Sequence, residues 1–336
     1  MKDFRKVMLR NFQSPGDLVM LSAALRDLHL SNPDGFITDV RSSCPEIWEN
    51  NPYITPLHDE DSEVELVDCR YPLVNESNRI PVHFVQAFGH FLSERLGVAI
   101  STTSFKGDIH LSHTETTRPS VVEQWSGEDL PFWIVLSGGK LDFTVKWWEA
   151  NRYQAVIDAF AGRILFVQVG HETDHHPRLS GVLDLRGKTT LRDLIVLIHH
   201  AQGVLCPVTA AMHLAAAVPC RSNAPSNRAC VVVAGGRESP HWEAYPGHQF
   251  IHTVGSLACC ETGGCWKARV KPLGDGCGFD SSDYLCLNVT NAALPQCMDV
   301  ITADHVISRI ELYFESGLNS YLSAKQARKA ALLTTS

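Results

Sequence analysis

Six of the eleven cysteines in this 336-residue chain fall within one segment near its C-terminal end. Cys260 and Cys265 form a local pair, with four residues between them. Cys286 and Cys297 form a second pair, with ten residues between them. Thiolates supplied as two local pairs suit a tetrahedral four-sulfur site for zinc or iron. Because four protein ligands leave no open coordination position, the spacing predicts a structural metal and not a catalytic one.

The cysteine segment leaves other interpretations open. Cys259 stands beside Cys260 and can replace it as a ligand, and Cys277 has no obvious partner. Unpaired buried thiols and redox-active cysteines are the alternatives to a metal. The sequence between residues 259 and 297 is otherwise polar and Gly-rich, so something other than a hydrophobic core must order it.

A carboxylate follows the first predicted strand, in the turn formed by residues 11–17. Asp17 stands at the start of the next helix, where a carboxylate can take a proton from an incoming hydroxyl. The alternative is that Asp17 caps the helix by accepting hydrogen bonds from its free N–H groups. The turn lacks the G-x-G-x-x-G spacing, which argues against a dinucleotide cofactor at this place.

Three further motifs in the second half of the chain favour an anionic ligand. Gly138 and Gly139 precede Lys140 and Lys146, so close backbone approach and two point charges are available to a phosphate. The alternative is a glycine turn with solvated lysines. Each of the other two motifs likewise follows a predicted strand.

Thr209 opens a helix, whose positive end can receive a diphosphate, and His213 lies one turn further along. A histidine in such a position is also a common core residue. Gly235, Gly236 and Arg237 end the next strand and can offer amides and a guanidinium to an anion. A plain turn with a surface ion pair is the alternative there.

These residues sit among short apolar runs that alternate with longer amphipathic ones, a pattern that predicts strands joined by helices. The predicted strands cover residues 6–10, 36–40, 64–67, 132–136, 164–169, 203–206, 230–234 and 250–254. The predicted helices cover residues 17–30, 82–96, 147–160, 190–202, 210–218 and 303–315. Strands separated by such helices form parallel sheets, so the fold class is α/β with two doubly wound domains.

A polar, Pro-containing stretch over residues 113–131 interrupts the alternation and predicts a linker. The predicted domains are therefore residues 1–118 and residues 130–302, the second including the Cys-rich segment 259–297. Residues 303–336 form a C-terminal helix and tail. Two such domains place the carboxyl ends of their strands on a shared cleft, which suits an enzyme with two substrates.

Composition narrows the class of partner. The chain has 29 Lys and Arg against 37 Asp and Glu, a formal charge of −8, and no cationic block, so nucleic acid is not expected as a partner. No apolar run reaches about 18 residues and no signal-peptide pattern opens the chain, so we expect no transmembrane segment and a cytoplasmic location. In a reducing compartment, crowded cysteines favour a metal over disulfides.

Taken in their order, the motifs resemble those of the ADP-heptose:lipopolysaccharide heptosyltransferase family, glycosyltransferase family nine. The branch related to bacterial autotransporter heptosyltransferases is the most similar. The resemblance covers nearly the whole chain and is carried by residues 11–17, 138–148, 206–216, 235–238 and the cysteine segment. It implies a GT-B fold, in which the N-terminal domain holds the acceptor and the C-terminal domain holds the nucleotide sugar.

The resemblance also implies roles for single residues. The Gly-Asp turn of the family supplies a general base, which is Asp17 here, and Lys146, Lys140 and Thr209 would hold the donor diphosphate. The autotransporter branch carries a Cys-ligated iron and forms large homo-oligomers. The lipopolysaccharide enzymes have Asp-Thr-Gly where this chain has Val-Thr-Ala at residues 208–210, so the donor contacts of that aspartate are absent.

The expected function is an inverting glycosyltransferase that moves heptose from ADP-heptose to an acceptor hydroxyl, of a protein Ser or Thr or of a glycan. We expect no catalytic divalent cation, because lysines and helix ends can carry the charge of the leaving diphosphate. The alternatives are a nucleotide-sugar epimerase of GT-B-like fold and a catalytically inactive, metal-stapled binding module.

Overall fold

The computed structural model describes residues 4–70, 77–222, 224–260 and 263–334. Within these residues the chain forms two parallel sheets and a set of covering helices. The strands are Arg5–Asn11 (β1), Phe36–Ser42 (β2), Val64–Asp68 (β3), Phe132–Val135 (β4), Leu165–Gln168 (β5), Leu183–Asp184 (β6), Gly203–Pro207 (β7), Ala229–Gly235 (β8) and His248–His252 (β9). The α-helices are Pro15–Ser31 (α1), Phe84–Leu96 (α2), His113–Thr117 (α3), Val121–Ser126 (α4), Ala150–Ala159 (α5), Leu191–His200 (α6), Ala210–Ala217 (α7), Pro240–Glu243 (α8), Gln296–Asp299 (α9), Ala303–Glu315 (α10) and Ala324–Leu333 (α11).

The first sheet has the order β2-β1-β3, with every pair parallel. Leu9 of β1 lies opposite Val40 on one side and Val67 on the other, so β1 is the central strand. A central strand of a parallel sheet is buried on both faces, and Val7 to Leu9 are accordingly inaccessible to solvent. Because β1 connects through α1 to one neighbour and the chain later returns to its other side, ligands are expected at the end of this strand.

The second sheet has the order β6-β5-β4-β7-β8-β9 and is parallel throughout. Within this half the strands therefore follow the doubly wound order 3-2-1-4-5-6, and the direction of winding reverses between β4 and β7. The crevice beyond the carboxyl ends of these two strands is the usual ligand position in such sheets. The predicted α/β class with doubly wound sheets is confirmed.

One apolar core continues from the first half of the chain into the second. Helix α1 packs against α2 on one side and against α7 of the second half on another, so it is apolar and buried nearly all round. A separate core lies on the opposite face of the second sheet, beneath α5 and α10. The domain limits at residues 118, 130 and 302 stay a prediction.

The structure differs from the predicted elements in a few places. The predicted linker contains α3 and α4, which begin where Ser112 and Ser120 accept hydrogen bonds from backbone amides. The helix predicted from residue 147 begins at Ala150, because residues 141–146 form a 3-10 turn and Trp147 is extended. Elements β6, α8 and α9 are two to four residues long, too short to show a period. None of the described helices is long and apolar enough to cross a bilayer.

Candidate active site

The turn after β1 and the glycine loop after β4 meet at the carboxyl ends of the two sheets. Lys140 Nζ donates a hydrogen bond of 3.1 Å to Ser14 Oγ, joining the two halves of the chain. At Gly16 an added Cβ would lie 2.9 Å from Cδ2 of His213, so the turn packs directly on α7. The structure therefore brings the predicted base region and the predicted phosphate region together.

Asp17 is buried, with 6% of its surface exposed, in the first turn of α1. Its Oδ2 accepts a hydrogen bond of 2.9 Å from the Ser14 amide, so the capping interpretation is confirmed. Its charge is also one of those that raise the pKa of Glu243 in the second half of the chain, which places the two carboxyl groups within electrostatic range. The catalytic role of Asp17 stays a prediction.

Lys146, Arg237 and Glu238 form a buried ion cluster at the ends of β4 and β8. Lys146 Nζ lies 2.7 Å from Glu238 Oε1, and the Arg237 guanidinium pairs with the same carboxylate. Burial opposes the ionisation of Glu238, but the two cations outweigh it and hold its pKa below the ordinary value. The carboxylate therefore fixes the position of the lysine that the sequence predicts to bind phosphate.

Glu243, at the end of α8, has the opposite protonation state. Burial, and then the charge of Glu238, raise its pKa to about 8, so the side chain is largely neutral at pH 7. Its Oε2 is buried and has no hydrogen-bond partner among the described residues. Two carboxyl groups whose surroundings push their pKa values apart are typical of a functional site. No sequence motif marks Glu243, because its position depends on the short α8.

Two unpartnered donors flank Gly139 beside the N-terminus of α7. A Cβ built on Gly139 would lie 3.9 Å from both Trp147 Nε1 and Thr209 Cγ2. The indole Nε1 and the Thr209 Oγ1 are buried, and neither has a hydrogen-bond partner in the described part of the chain. His175 stacks on the Trp147 ring at 4.2 Å and holds its plane. Thr209 thus lies at the helix end as predicted, whereas Trp147 was not predicted to act as a hydrogen-bond donor.

Unsatisfied buried polar atoms concentrate at this site. Buried groups of this kind nearly always have a partner, so each exception calls for an explanation. Six of the fourteen exceptions among the described residues belong to the turn after β1 or to the ends of β4, β7 and β8. They are Asn11 Nδ2, Gln13 Oε1, Trp147 Nε1, Thr209 Oγ1, Glu238 Oε2 and Glu243 Oε2. A polar ligand between the two sheets would satisfy them.

His213 has the environment of a core histidine. Its Nδ1 shares a hydrogen bond of 2.6 Å with the Tyr245 hydroxyl. Burial, and then the charge of Lys146, lower the pKa of His213 to about 3, so the ring is neutral. It packs between α7 and Gly16, and its role as a nucleotide contact stays a prediction.

Gly235 and Gly236 face the cysteine segment. Gly235 has a φ of +63°, and a Cβ there would lie 2.5 Å from Met298 Sδ. A Cβ on Gly236 would lie 3.2 Å from Cys297 Cβ and 3.4 Å from Cys260 Sγ. These glycines therefore let the cysteine segment pack on the end of β8. Their role in anion binding, and that of Arg237, stay predictions.

Five cysteines line one small cavity between the end of β8 and the cysteine segment: Cys259, Cys260, Cys265, Cys286 and Cys297. Burial, together with the neighbouring thiols of Cys265, Cys286 and Cys259, raises the pKa of Cys297 to about 11. The Cys260 thiol instead accepts from the Gly255 amide and donates to the Leu257 carbonyl, both at 3.2 Å. The Cys259 thiol likewise accepts a hydrogen bond, from Asn288 Nδ2 at 3.1 Å, so either cysteine can accompany the other three.

Thiols around one cavity are the donor set that zinc and iron prefer. All eleven cysteines are free thiols. Among the described residues, however, no group of three or more His, Cys, Asp or Glu side chains is arranged to hold a metal ion. Five cysteines of the predicted segment thus line one cavity and its backbone is irregular, whereas the predicted metal site itself is not shown.

Comparison with known proteins bears on these observations. Residues 73–222 match the sequence profile of glycosyltransferase family 9 (heptosyltransferase). No curated protein matches the chain by sequence. A family 9 glycosyltransferase from Veillonella parvula has a similar structure, with a TM-score of 0.60 at 14% identity, over 94% of this chain and 98% of that one.

Two Escherichia coli proteins are also similar in structure. ADP-heptose lps heptosyltransferase II has a TM-score of 0.55 at 14% identity, over 94% of this chain and all of that one. TibC of enterotoxigenic E. coli, described as an iron-containing dodecameric glycosyltransferase, has a TM-score of 0.59 at 17% identity, over 94% of this chain and 80% of that one. At such identities the likeness concerns the fold. Together with the profile match over residues 73–222, it makes this chain similar to the heptosyltransferases of glycosyltransferase family 9.

Proposed function

We propose that the chain transfers heptose from an ADP-activated donor to an acceptor hydroxyl, with inversion at the anomeric carbon. The observation that carries the proposal is the pair of buried donors Trp147 Nε1 and Thr209 Oγ1, which flank Gly139 at the N-terminus of α7 and have no hydrogen-bond partner in the described part of the chain. The similar protein TibC has been solved with ADP-D-beta-D-heptose, which supports the choice of donor.

The chemistry follows from the two walls of the cleft. Asp17 takes the proton of the acceptor hydroxyl, whose oxygen attacks the anomeric carbon from the side opposite to the diphosphate. The electron pair of the breaking carbon–oxygen bond passes to the diphosphate, which leaves as ADP. Lys146, Lys140 and the N-terminus of α7 stabilise the negative charge that grows there.

Trp147 and Thr209 complete the phosphate side. A donor that is already buried and unpartnered has lost its hydration before the ligand arrives, so binding costs little further desolvation. The indole N–H and the threonine hydroxyl can therefore donate to phosphate oxygens without giving up other bonds. Glu238 holds Lys146 in place until the diphosphate competes for it. This arrangement requires no divalent cation.

We propose a structural iron or zinc for the cysteine cavity. Its ligands would be Cys265, Cys286 and Cys297 with either Cys259 or Cys260, and the ion would order the segment without taking part in transfer. TibC is described as containing iron, which supports iron. Elemental analysis of the purified protein together with its absorption spectrum distinguishes the two metals.

The oligomeric state, the cellular location and the acceptor are also part of the proposal. TibC is described as dodecameric, so we expect this chain to form a homo-oligomer, which light scattering can measure. A cytoplasmic location suits eleven free thiols. The acceptor is proposed to be a protein or glycan hydroxyl, delivered to the Asp17 side of the cleft.

A nucleotide panel tests the proposal. ADP, ADP-heptose, UDP, GDP and their common sugar conjugates are added to the protein, and its thermal midpoint is measured. Ligand at about 100 times its Kd stabilises the folded state by about 2.7 kcal/mol, so ADP and ADP-heptose should raise the midpoint most. Stabilisation by UDP or GDP alone would contradict the proposed donor. Mass spectrometry of the products, with and without acceptor, separates transfer from epimerisation of the sugar.

A further inference from the structure

One asparagine of the N-terminal half makes side-chain hydrogen bonds to the C-terminal half. Asn78 Nδ2 donates to the Gly264 carbonyl at 2.7 Å. Its Oδ1 accepts from Trp266 Nε1 at 2.8 Å and from Ser239 Oγ at 3.2 Å. Asn78 and these three partners are called the clasp. Gly264 and Trp266 belong to the cysteine segment, and Ser239 directly precedes α8.

The backbone of the cysteine segment is shaped for this contact. Gly264 has a φ of +139°, and a Cβ there would lie 2.6 Å from the Arg237 carbonyl and 3.4 Å from Asn78 Oδ1. Trp266 has a φ of +54°, an uncommon conformation for a bulky residue. Strained backbone persists only where the surrounding structure fixes it. The contact of this backbone with Asn78 is therefore part of what holds the cysteine segment in its conformation.

Two histidines reinforce the clasp on either side of Asn78. His241 Nε2 lies 2.7 Å from the Ser77 carbonyl. His83 Nδ1 accepts from the Val85 amide, so the proton of the neutral ring is on Nε2, which donates to the Ala244 carbonyl at 3.1 Å. Burial lowers the pKa of His83 to about 4, so this bond persists at neutral pH.

The clasp is connected to the phosphate side of the cleft through Trp266. Its amide donates to the Arg237 carbonyl at 3.2 Å, and the Arg237 guanidinium lies 5.1 Å from the centre of the indole ring. Arg237 in turn pairs with Glu238, which holds Lys146. A shift of Trp266 would therefore change the support of the predicted phosphate lysine.

We propose that Asn78 is a positioning residue for glycosyl transfer. By clasping the cysteine segment from the N-terminal half, it fixes the separation between the wall that carries Asp17 and the wall that carries Lys146. Two measurements test this inference. Hydrogen exchange uses no nucleotide and is independent of the proposed function, whereas the measurement of ADP release rests on that function. Asn78 itself touches neither the donor nor the reacting atoms.

The first readout is hydrogen exchange of the full chain without ligand, comparing wild type, Asn78→Ala and a matched control, Asn32→Ala. Asn32 also donates from its side chain to two carbonyls, but both belong to the N-terminal half. We expect Asn78→Ala to accelerate exchange in residues 77–83 and 263–268 by about tenfold, the loss of roughly 1.4 kcal/mol of local stability. Asn32→Ala should leave both segments unchanged. Unaltered exchange in residues 263–268 of Asn78→Ala would overturn the proposal.

The second readout is ADP release from ADP-heptose. Because the donor is held by the C-terminal half, Asn78→Ala should lower kcat by about tenfold or more while changing the KM for the donor less than threefold. A merely structural contact would lower the thermal midpoint, as in Asn32→Ala, without this split. An unchanged kcat in Asn78→Ala would overturn the proposal.

A milder variant covers the case in which Asn78→Ala does not fold. Trp266→Phe removes one hydrogen bond of the clasp and keeps an aromatic ring over Arg237. We expect an intermediate effect on exchange and on kcat, and no effect in either would count against the clasp. If wild type itself releases no ADP from ADP-heptose, the proposed function fails, and with it the role of Asn78 in transfer, whereas the exchange result still decides whether the clasp exists.

Discussion

Two glutamates five positions apart hold opposite charge states because their neighbours differ. Glu238 has Lys146 and Arg237 beside it and stays ionised, whereas at Glu243 burial and the ionised Glu238 outweigh the charges of the same two cations. The motif around Glu238 was visible in the sequence, but the state of Glu243 depends on burial and on distances across the fold. Single-residue chemistry at this site is therefore set by the partners that folding brings together.

Replacing Asp17 by Asn tests the general base. Asp17 accepts from the amide of the N-cap residue Ser14, and the side-chain oxygen of Asn can accept the same hydrogen bond, so the fold should persist. We expect kcat to fall by about 10²–10⁴-fold, the range of a general base, with ADP affinity nearly unchanged by calorimetry. Asp193→Asn is a matched control, because Asp193 caps the start of α6 in the same way. Turnover like that of wild type in Asp17→Asn would remove the carboxylate from the mechanism.

Trp147→Phe tests the unpartnered indole. The phenyl ring can still stack on His175, but the N–H donor is lost. A hydrogen bond to a charged oxygen contributes about 1.5 kcal/mol, so ADP should bind about tenfold more weakly. Trp125→Phe, at a position that is 53% exposed in α4, serves as the control. Equal ADP affinity of Trp147→Phe and wild type would exclude the indole from the phosphate site.

Glu243→Gln tests the raised pKa. The folded pKa of about 8 exceeds the ordinary value of 4.5, so between these values the folded state holds a proton that the unfolded state has lost. Stability of the wild type therefore falls as pH rises from about 5 to 8, and the glutamine variant lacks this contribution. We expect Glu243→Gln to gain stability relative to wild type across this window and the difference to level off above pH 8. Parallel midpoints from pH 5 to 9 would contradict the assigned pKa.

The elements show where sequence reasoning succeeds. Helix α10 has the predicted bounds, because Thr302 caps it and Val306, Ile310 and Phe314 form one buried stripe. The central strands were also predicted, since each is a short apolar run. Helix α11 was missed because its apolar residues are mostly alanines and only Ala330 is buried. The indole donor of Trp147 was missed because an aromatic pattern alone does not say whether a ring nitrogen has a partner.

Contact between α1 and α7 gives an element-scale prediction. A methyl group at Gly16 would meet the buried ring of His213 at 2.9 Å, and Tyr245 holds that ring in place. Gly16→Ala should therefore destabilise the protein by about 1–3 kcal/mol through overpacking, measured by urea unfolding. Gly89→Ala in α2 is the control, because the nearest atom to a Cβ built there is Ile100 Cγ2 at 4.0 Å, and alanine should stabilise that helix by up to about 1 kcal/mol. A neutral Gly16→Ala would mean that α1 and α7 are not tightly packed.

At the scale of the whole molecule, two winding patterns define one cleft. The central strand β1 of the first sheet leads into the turn that carries Asp17. The direction of winding of the second sheet reverses between β4 and β7, the strands that precede Gly139 and Thr209. Both features follow from strand order, which the alternation of elements in the sequence predicts only in part. The shared core between α1 and α7, together with the clasp at Asn78, then sets the distance between the walls.

We predict that removal of the metal disorders the cysteine segment and does not affect the reaction step directly. EDTA or added Mg²⁺ should leave turnover unchanged while the protein keeps its metal, because lysines and a helix end carry the charge of the leaving group. Stripping the metal, or replacing Cys297 by Ser, should expose residues 259–297 to limited proteolysis and lower the thermal midpoint. Transfer should decline as proteolytic sensitivity rises, since Gly264 and Trp266 of the clasp belong to this segment.

Cys277→Ser is the matched control, because Cys277 lies outside the cysteine cavity and its replacement should leave the metal content intact. If Cys297→Ser retained full metal content, or if turnover stopped while the segment still resisted protease, a purely structural metal in this cavity would be excluded.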